Sequence, residues 1–325
     1  MDKFIVIIMG PTGVGKSDVA LELANALDGE IINGDVGQMY TPLTIGTAKP
    51  DWKNSSVRHH LFDIINECTS ITAVMYRTLF NKACDDIVAR NKMPILVGGS
   101  GFYIKSLFFP PRETSILHDS NESESMYSHM STRDLWTQLS SIDSKRAQAI
   151  HANDRYRILR ALTLYQKTKI LPSLLQPEFI ANFSCYIIFL NRDRDDLYSR
   201  IDARVISMMD GGWINEVNAL SANWKSFLID KKIIGYDDII KYIYEKKHAH
   251  QDLHELIDHV QKNTRNYAKR QLSFWRMFKK LLDGQLSEKI QYDEDNLTLL
   301  DLNLYIKQLS QKIRNAKGAH ESKKG

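Results

Sequence analysis

The first apolar run of the chain, Phe4-Ile-Val-Ile-Ile-Met9, is unbroken and leads directly into a glycine-rich loop. A short continuous run of this kind predicts a strand buried on both faces, as in a parallel sheet. Val19, Ala20, Leu23, Ala24 and Leu27 then recur at helical spacing, which predicts a helix over 17–27. A short strand is expected at 30–33 and a helix over 73–91. Pro94-Ile-Leu-Val97 reads as another buried strand, opening into Gly98-Gly-Ser-Gly101. Strands alternating with helices imply a parallel sheet with its ligand at the carboxyl ends of the strands.

From Pro110 to about residue 182 the strand pattern disappears. Pro110-Pro111 and a Ser/Glu/His-rich stretch lead into helical segments near 132–150 and 154–168. Tyr186-Ile-Ile-Phe-Leu190 restores a core strand, and helices are expected around 195–209, 214–222, 237–247 and 252–282. The fold class is therefore α/β, a parallel sheet core with a helical insertion domain. Residues 1–110 and 183–282 form the core, 111–182 the insertion, and 283–325 a C-terminal extension whose last residues, 317–325, read as a disordered tail.

Composition narrows this only slightly. The 325 residues are 43% hydrophobic and 25% charged, as in a globular enzyme. A net charge of +4 permits a polyanionic partner without demanding one. Cys68, Cys84 and Cys185 are scattered without metal-ligand spacing and read as free thiols in a reducing compartment. The opening apolar run is too short for a signal peptide or membrane span, so a cytoplasmic protein with no membrane partner is expected.

Gly10, Pro11, Thr12, Gly13, Val14, Gly15, Lys16 and Ser17 match GxxxxGK[ST] completely, between a predicted strand and a predicted helix. In such a loop the backbone N–H groups converge on phosphate oxygens and the helix points its positive end at them. Lys16 adds a point charge, and Ser17 can hold Mg²⁺. The motif makes the α/β core P-loop NTPase-like and residues 1–110 with 183–282 a P-loop catalytic core; it specifies a diphosphate-bearing ligand, which leaves a P-loop kinase or ATPase open. Against an ordinary ATPase, the strand at 95–97 ends in glycines where a magnesium-steering aspartate would be expected. Asp35 after the second strand is the better acidic candidate, and Asp193 a weaker one.

Several further segments resemble the tRNA dimethylallyltransferase family, in matching order from residue 4 to about 280: Asp35-Val-Gly-Gln-Met-Tyr40, Ile45-Gly-Thr-Ala-Lys-Pro50, Arg58-His-His-Leu61, Val97-Gly-Gly-Ser-Gly-Phe-Tyr103, Ile150-His-Ala-Asn-Asp154, Arg200-Ile-Asp-Ala-Arg204, Ile234-Gly-Tyr236 and Lys269-Arg-Gln271. The resemblance implies transfer of a dimethylallyl group from dimethylallyl diphosphate to N6 of the adenine 3′ of the anticodon (position 37), with Mg²⁺ and without consuming ATP. It implies Asp35 as the base and Arg204 and Lys16 as catalytic cations on the diphosphate. It also implies contacts to the tRNA anticodon stem-loop by Asp35, Val36, Gly37, Gln38 and Ser100, by Tyr156, Arg157, Ile158, Leu159 and Arg160 in the insertion, and by Lys269, Arg270 and Arg276. Departures from the family pattern are Val36 for a serine, Ala152 for a proline and Trp213 for a leucine.

The chemistry is consistent with these assignments. Adenine N6 is a poor nucleophile, its lone pair delocalised into the ring, so a base that takes its proton lowers the barrier. Negative charge on the departing diphosphate calls for fixed cations, and the planar fork of Arg204 suits two oxygens at once. From Lys262 to Lys280 there are seven Lys and Arg and no Asp or Glu, interleaved with Tyr267, Phe274, Trp275 and Phe278. On one helix this gives a basic stripe beside an apolar face, the aromatics being expected in the core. His59 and His60 are expected to be structural. A rival acceptor is a free adenine nucleotide, but a large insertion and a long basic helix favour a macromolecule. A monomer is expected.

Overall fold

A computed structural model describes residues 3–111, 127–175, 178–246, 252–285, 289–298 and 300–322. The chain forms two compact units, one of Met1–Lys105 with Ala181–Gly325 and the other of Ser106–Ile180.

The first unit is built on a six-stranded sheet, parallel throughout, in the order β3-β2-β4-β1-β5-β6. Its strands are β1 (Lys3–Met9), β2 (Gly29–Asn33), β3 (His59–His60), β4 (Met93–Gly98), β5 (Phe183–Asn191) and β6 (Ile290–Asn296). Central β1 pairs Ile7 with Leu96 on one side and Ile187 on the other. Being covered on both faces, β1 and β5 are apolar almost throughout, hence their legibility as continuous runs.

Helix α1 (Lys16–Leu27) packs Val19, Ala20, Leu23 and Ala24 against β1, β4 and β5. Helices α2 (Ala73–Ala89) and α3 (Gly101–Phe108) flank β4 in sequence, and the side chain of Thr72 caps α2 by accepting from Met75 N at 3.2 Å. After β5 come α7 (Arg194–Asp210), α8 (Trp213–Ala219), α9 (Ala222–Lys231), α10 (Tyr236–Lys246) and the long α11 (Leu253–Asp283). The helix expected over 214–222 stops at Ala219. Ser221 instead caps α9, an unexpected helix, by accepting from Trp224 N at 3.4 Å.

Residues beyond 283 depart most from expectation. They supply β6 and helix α12 (Leu302–Glu321), so the described part of the expected disordered tail, up to residue 322, is helical almost throughout. Tyr305, Ile306, Leu309 and Ile313 of α12 bury in the same core as α1, and Arg314 donates to Ala26 O at 2.6 Å. Edge strand β6 reads Ile-Gln-Tyr-Asp-Glu-Asp-Asn, with almost no apolar signal. Side-chain partners secure it: Asp293 accepts from Tyr186 Oη at 2.6 Å and from Lys312 Nζ at 2.7 Å, and Asp295 accepts from Tyr305 Oη at 2.8 Å. An acidic edge also discourages pairing with another chain.

The second unit contains α4 (Thr132–Ile142), α5 (Ser144–Gln148) and α6 (Arg155–Thr168). The single helix expected over 132–150 breaks at Asp143, whose carboxylate caps α5 by accepting from Arg146 N at 3.0 Å and also holds Ser173 N at 2.7 Å. Leu135, Leu139, Ile150, Ile158, Leu159 and Leu162 form its own core. Among the described residues, no helix is long and apolar enough to cross a membrane. All three cysteines are free thiols, Cys84 and Cys185 being buried.

Candidate active site

Three loops converge at the carboxyl ends of β1, β2 and β4: Gly10–Ser17, the turn after Asn33, and Gly98–Gly101. In the first, Gly13 and Gly15 have φ of 82° and 103°, where a side chain would strain the backbone. A Cβ on Gly10 would lie 2.5 Å from Leu190 O, so the loop can sit against β5 only as glycine. Arg200 Nε donates to Gly13 O at 3.0 Å and Arg192 Nε to Val14 O at 2.9 Å. With those carbonyls held by arginines, the loop is left to present amides to an anion. Lys16 Nζ donates to Pro11 O at 2.8 Å, and Ser17 stands exposed in the first turn of α1.

Asp35 begins a 3-10 turn over Val36–Met39 and caps it, Oδ1 accepting from Gly37 N at 3.1 Å. Buried Asn33 fixes it, donating from Nδ2 to Asp35 O at 2.9 Å and accepting from Asp35 N at 2.8 Å. One oxygen of the Asp35 carboxylate is thus oriented by the backbone. The other is committed to no hydrogen bond among the described residues.

Two cavities meet at this carboxylate. One, of about 520 Å³, is polar and runs along the phosphate loop, lined by Lys16, Ser17, Gln38, Arg200 and Arg204. The other, of about 360 Å³, is mainly apolar, lined by Tyr40, Ile71, Val205, Met208, Trp213 and Ile233. Asp35, Arg204, Thr12 and Thr47 belong to both. Arg204, from α7, makes no hydrogen bond or ion pair among the described residues. Burial pulls the pKa of its guanidinium down, while Asp35 and Asp18 oppose that. Burial, reinforced by Arg204, likewise drops the Lys16 ammonium to about 8 against the pull of Asp35. Burial raises Asp35 above the usual carboxylate range, with Lys16, the Gly37 amide and Arg204 opposing. The arrangement is a partly desolvated base flanked by two cations, at the junction of an anion cradle and an apolar chamber.

Other expected residues are placed as follows. Ser100 Oγ accepts from Val36 N at 3.2 Å, and Gln38 Nε2 donates to Thr47 O at 3.0 Å, so both also hold the site's own loops. Lys269, Arg270 and Arg276 are exposed on α11. Two other cations of that stripe are already paired, Arg265 with Asp202 and Lys279 with Glu294. In the second unit Tyr156 and Arg157 are exposed and Arg160 is half-buried. Ile158 and Leu159, expected among the RNA contacts, have their side chains buried in that unit's core. Asp193 lines neither cavity and accepts from Asn296 Nδ2 at 2.7 Å. His60 binds buried Glu30 at 2.6 Å, and Arg90 binds the same carboxylate, a structural cluster at the sheet edge.

Gln271 and Glu216 went unrecognised in the sequence. Buried Gln271 accepts from Thr12 N at 2.8 Å and donates to Gly99 O at 2.9 Å, which locks the phosphate loop to the loop after β4. Only its place in Lys269-Arg-Gln271 hinted at it. Glu216 accepts from Ile45 N at 2.7 Å and Tyr236 Oη at 2.7 Å, fixing the segment that carries Thr47. Trp213 packs directly on Gly46 and Gly235: a Cβ on either would fall 2.1 Å from the indole. The two glycines of Ile45-Gly-Thr and Ile234-Gly-Tyr therefore make the room that this indole fills.

A sequence profile of the IPP transferase family matches residues 38–278. The chain belongs to the IPP transferase family. Among relatives, tRNA dimethylallyltransferase of Petrotoga mobilis is 36% identical over 285 residues, or 84% of this chain and 90% of that one. The Macrococcus caseolyticus enzyme of the same name is 35% identical over 277 residues, covering 83% and 87%. A solved tRNA isopentenylpyrophosphate transferase from Bacillus halodurans superposes with a TM-score of 0.66 at 29% identity, covering 100% of this chain and 99% of that one. A eukaryotic dimethylallyltransferase solved acting on tRNA gives 0.71 at 25% identity, over 90% and 74%. The family profile begins at Gln38, after the phosphate loop and Asp35, so the geometry of those residues stands independently of it.

Proposed function

We propose that this member of the family is a tRNA dimethylallyltransferase, moving the dimethylallyl group from dimethylallyl diphosphate to N6 of the adenine immediately 3′ of the anticodon and releasing diphosphate. The observation that carries the reading is the position of Asp35, at the junction where a polar, cationic cavity meets an apolar one. The diphosphate lies along the loop amides, Lys16 and Arg204, and the allylic group extends toward the apolar chamber. As the C–N bond forms and the C–O bond breaks, Asp35 takes the N6 proton, and Lys16 and Arg204 stabilise the charge left on oxygen.

Ser17 fits Mg²⁺: its exposed hydroxyl opens into the polar cavity, a hard oxygen donor that would share the ion with diphosphate oxygens. Bound there, the ion would supply further positive charge to the leaving group. The exposed Lys269, Arg270 and Arg276 of α11, and Tyr156 and Arg157 of the second unit, suit the phosphates and bases of the anticodon stem-loop. That footprint, and relatives named for tRNA, favour tRNA over a free adenine nucleotide as acceptor. We read the protein as a cytoplasmic monomer. Incubation with an unmodified anticodon stem-loop, Mg²⁺ and dimethylallyl diphosphate should add one C5H8 increment to the loop adenine, read by mass. ATP hydrolysis stimulated by RNA with no such increment would overturn the assignment.

The electrostatics give a pH profile. kcat/KM for dimethylallyl diphosphate should rise as Asp35 deprotonates, at a pH above the ordinary carboxylate range. It should fall again above about pH 8, where Lys16 of the free enzyme loses its charge. In Lys16→Arg the alkaline fall should vanish, because a guanidinium keeps its charge. An alkaline limb unchanged in that variant would exclude Lys16 as its source.

Lys269→Ala and Arg270→Ala should each weaken tRNA binding and flatten its salt dependence. The log-log slope should change by about 0.9 per lost contact to duplex-like RNA and less for single strands. Affinity for dimethylallyl diphosphate should stay constant. Titrations across a salt series test this, and an unchanged slope in both variants would make the stripe a merely solvated face.

A further inference from the structure

Beside the apolar chamber, where the allylic group would meet the adenine, lies a third, shallower hollow of about 310 Å³ that the proposed chemistry does not use. Its walls are Phe102, Tyr103, Tyr267, Arg270, Phe274 and Trp275. Ser100, Tyr103 and Tyr267 also line the apolar chamber, so the two spaces share a wall. The walls are flat and differently oriented: Phe102 meets Tyr103 edge to face at 5.3 Å, and Phe274 meets Trp275 in the same way at 5.3 Å. Arg270 lies over the Tyr267 ring, 5.8 Å from its centre.

One feature of the hollow has no explanation within the fold. Phe102 is 54% exposed, a large aromatic surface left to water at the rim of a cavity. Aromatic faces and neighbouring exposed cations together match one ligand chemistry. An unstacked nucleobase offers a π face to the rings, and its phosphates complement the exposed Arg270, Lys269 and Arg276.

We propose that this hollow holds a second base of the tRNA loop, an immediate neighbour of the target adenine, drawn out of the stack alongside it. The inference rests on the tRNA reading above and extends it. Unstacking one base of a tight loop strains its neighbours, and a second seat recovers the stacking that a neighbour loses. It would also add recognition at a nucleotide that undergoes no chemistry. The shared wall of Tyr103 and Tyr267 sets the two bases side by side, as adjacent nucleotides require.

The test uses the full-length protein, Phe102→Ala, and three stem-loops: intact, and abasic at the nucleotide on either side of the target adenine. Wild type should bind one abasic loop about tenfold more weakly than the intact loop. Phe102→Ala should bind the intact loop about tenfold more weakly than wild type, with no further loss on that abasic loop, because ring and base remove the same interaction. Its affinity for dimethylallyl diphosphate should be unchanged. Losses that simply add, or a wild type indifferent to both abasic loops, would overturn the inference while normal transfer to the intact loop upheld the tRNA reading. A wild type that modifies no intact loop would overturn both.

Discussion

Asp35→Asn should bind dimethylallyl diphosphate and the stem-loop nearly as tightly as wild type while turnover falls by roughly 10²–10⁴, the usual contribution of a positioned base. The amide oxygen can still accept from Gly37 N, so the 3-10 turn over Val36–Met39 keeps its cap. What disappears is the proton acceptor between the two cavities. A carboxylate that chiefly steered Mg²⁺ would fail differently: diphosphate binding would weaken, and extra metal would restore much of the rate. Single-turnover transfer and diphosphate affinity, measured across a Mg²⁺ series, separate the two. Substantial rescue by metal would refute Asp35 as the base.

Removing Arg204 should have an effect of similar size with a different signature. Its guanidinium is largely buried without a hydrogen-bonding partner among the described residues, an expensive placement unless an anionic ligand completes it. Arg204→Ala is expected to lower kcat by roughly 10²–10³, with weaker diphosphate binding. Arg204→Lys should recover only part, since an ammonium lacks the planar fork that grips two oxygens. The pH profile is the more diagnostic readout. Arg204 holds down the pKa of both Asp35 and Lys16. Its removal should therefore move both limbs of kcat/KM to higher pH. A profile that stayed in place while the rate dropped would mean that Arg204 acts without facing either group.

The fold was legible where burial is two-sided or helical periodicity is strong. Strands β1, β4 and β5 are covered on both faces, so their sequences are apolar runs that no local reading could miss. Strand β3 consists of His59 and His60, polar residues pinned to the edge through Glu30 and Arg90, and no pattern announces it. Strand β6 is acidic, its charges answered by Lys312, Lys279 and tyrosines distant in sequence. Helix α12 carried a readable stripe in Tyr305, Ile306, Leu309 and Ile313, but its polar C-terminal end resembled a tail.

The phosphate loop is a local object: its glycines, lysine and serine are contiguous because backbone amides must converge on one anion, so the sequence alone determined it. The resemblance of scattered motifs likewise named Asp35 and Arg204, yet what places them together is tertiary. Asp35 follows a strand and Arg204 lies on a helix that comes after the insertion in sequence, and only packing of α7 against the phosphate loop, through Leu197 and Ile201, brings them to one cavity wall. Gln271 reads as an unremarkable helix residue until its two hydrogen bonds reach back across the chain to join the loops at Thr12 and Gly99. The aromatics of α11 show the same division. Their spacing put all four in the core, which holds for Phe278; Trp275 is buried yet walls the third hollow, and Tyr267 and Phe274 are half-buried and line cavities. Periodicity records which side of a helix faces inward; whether that side meets another element or an empty hollow depends on the shape of everything packed around it, and that is decided only in three dimensions.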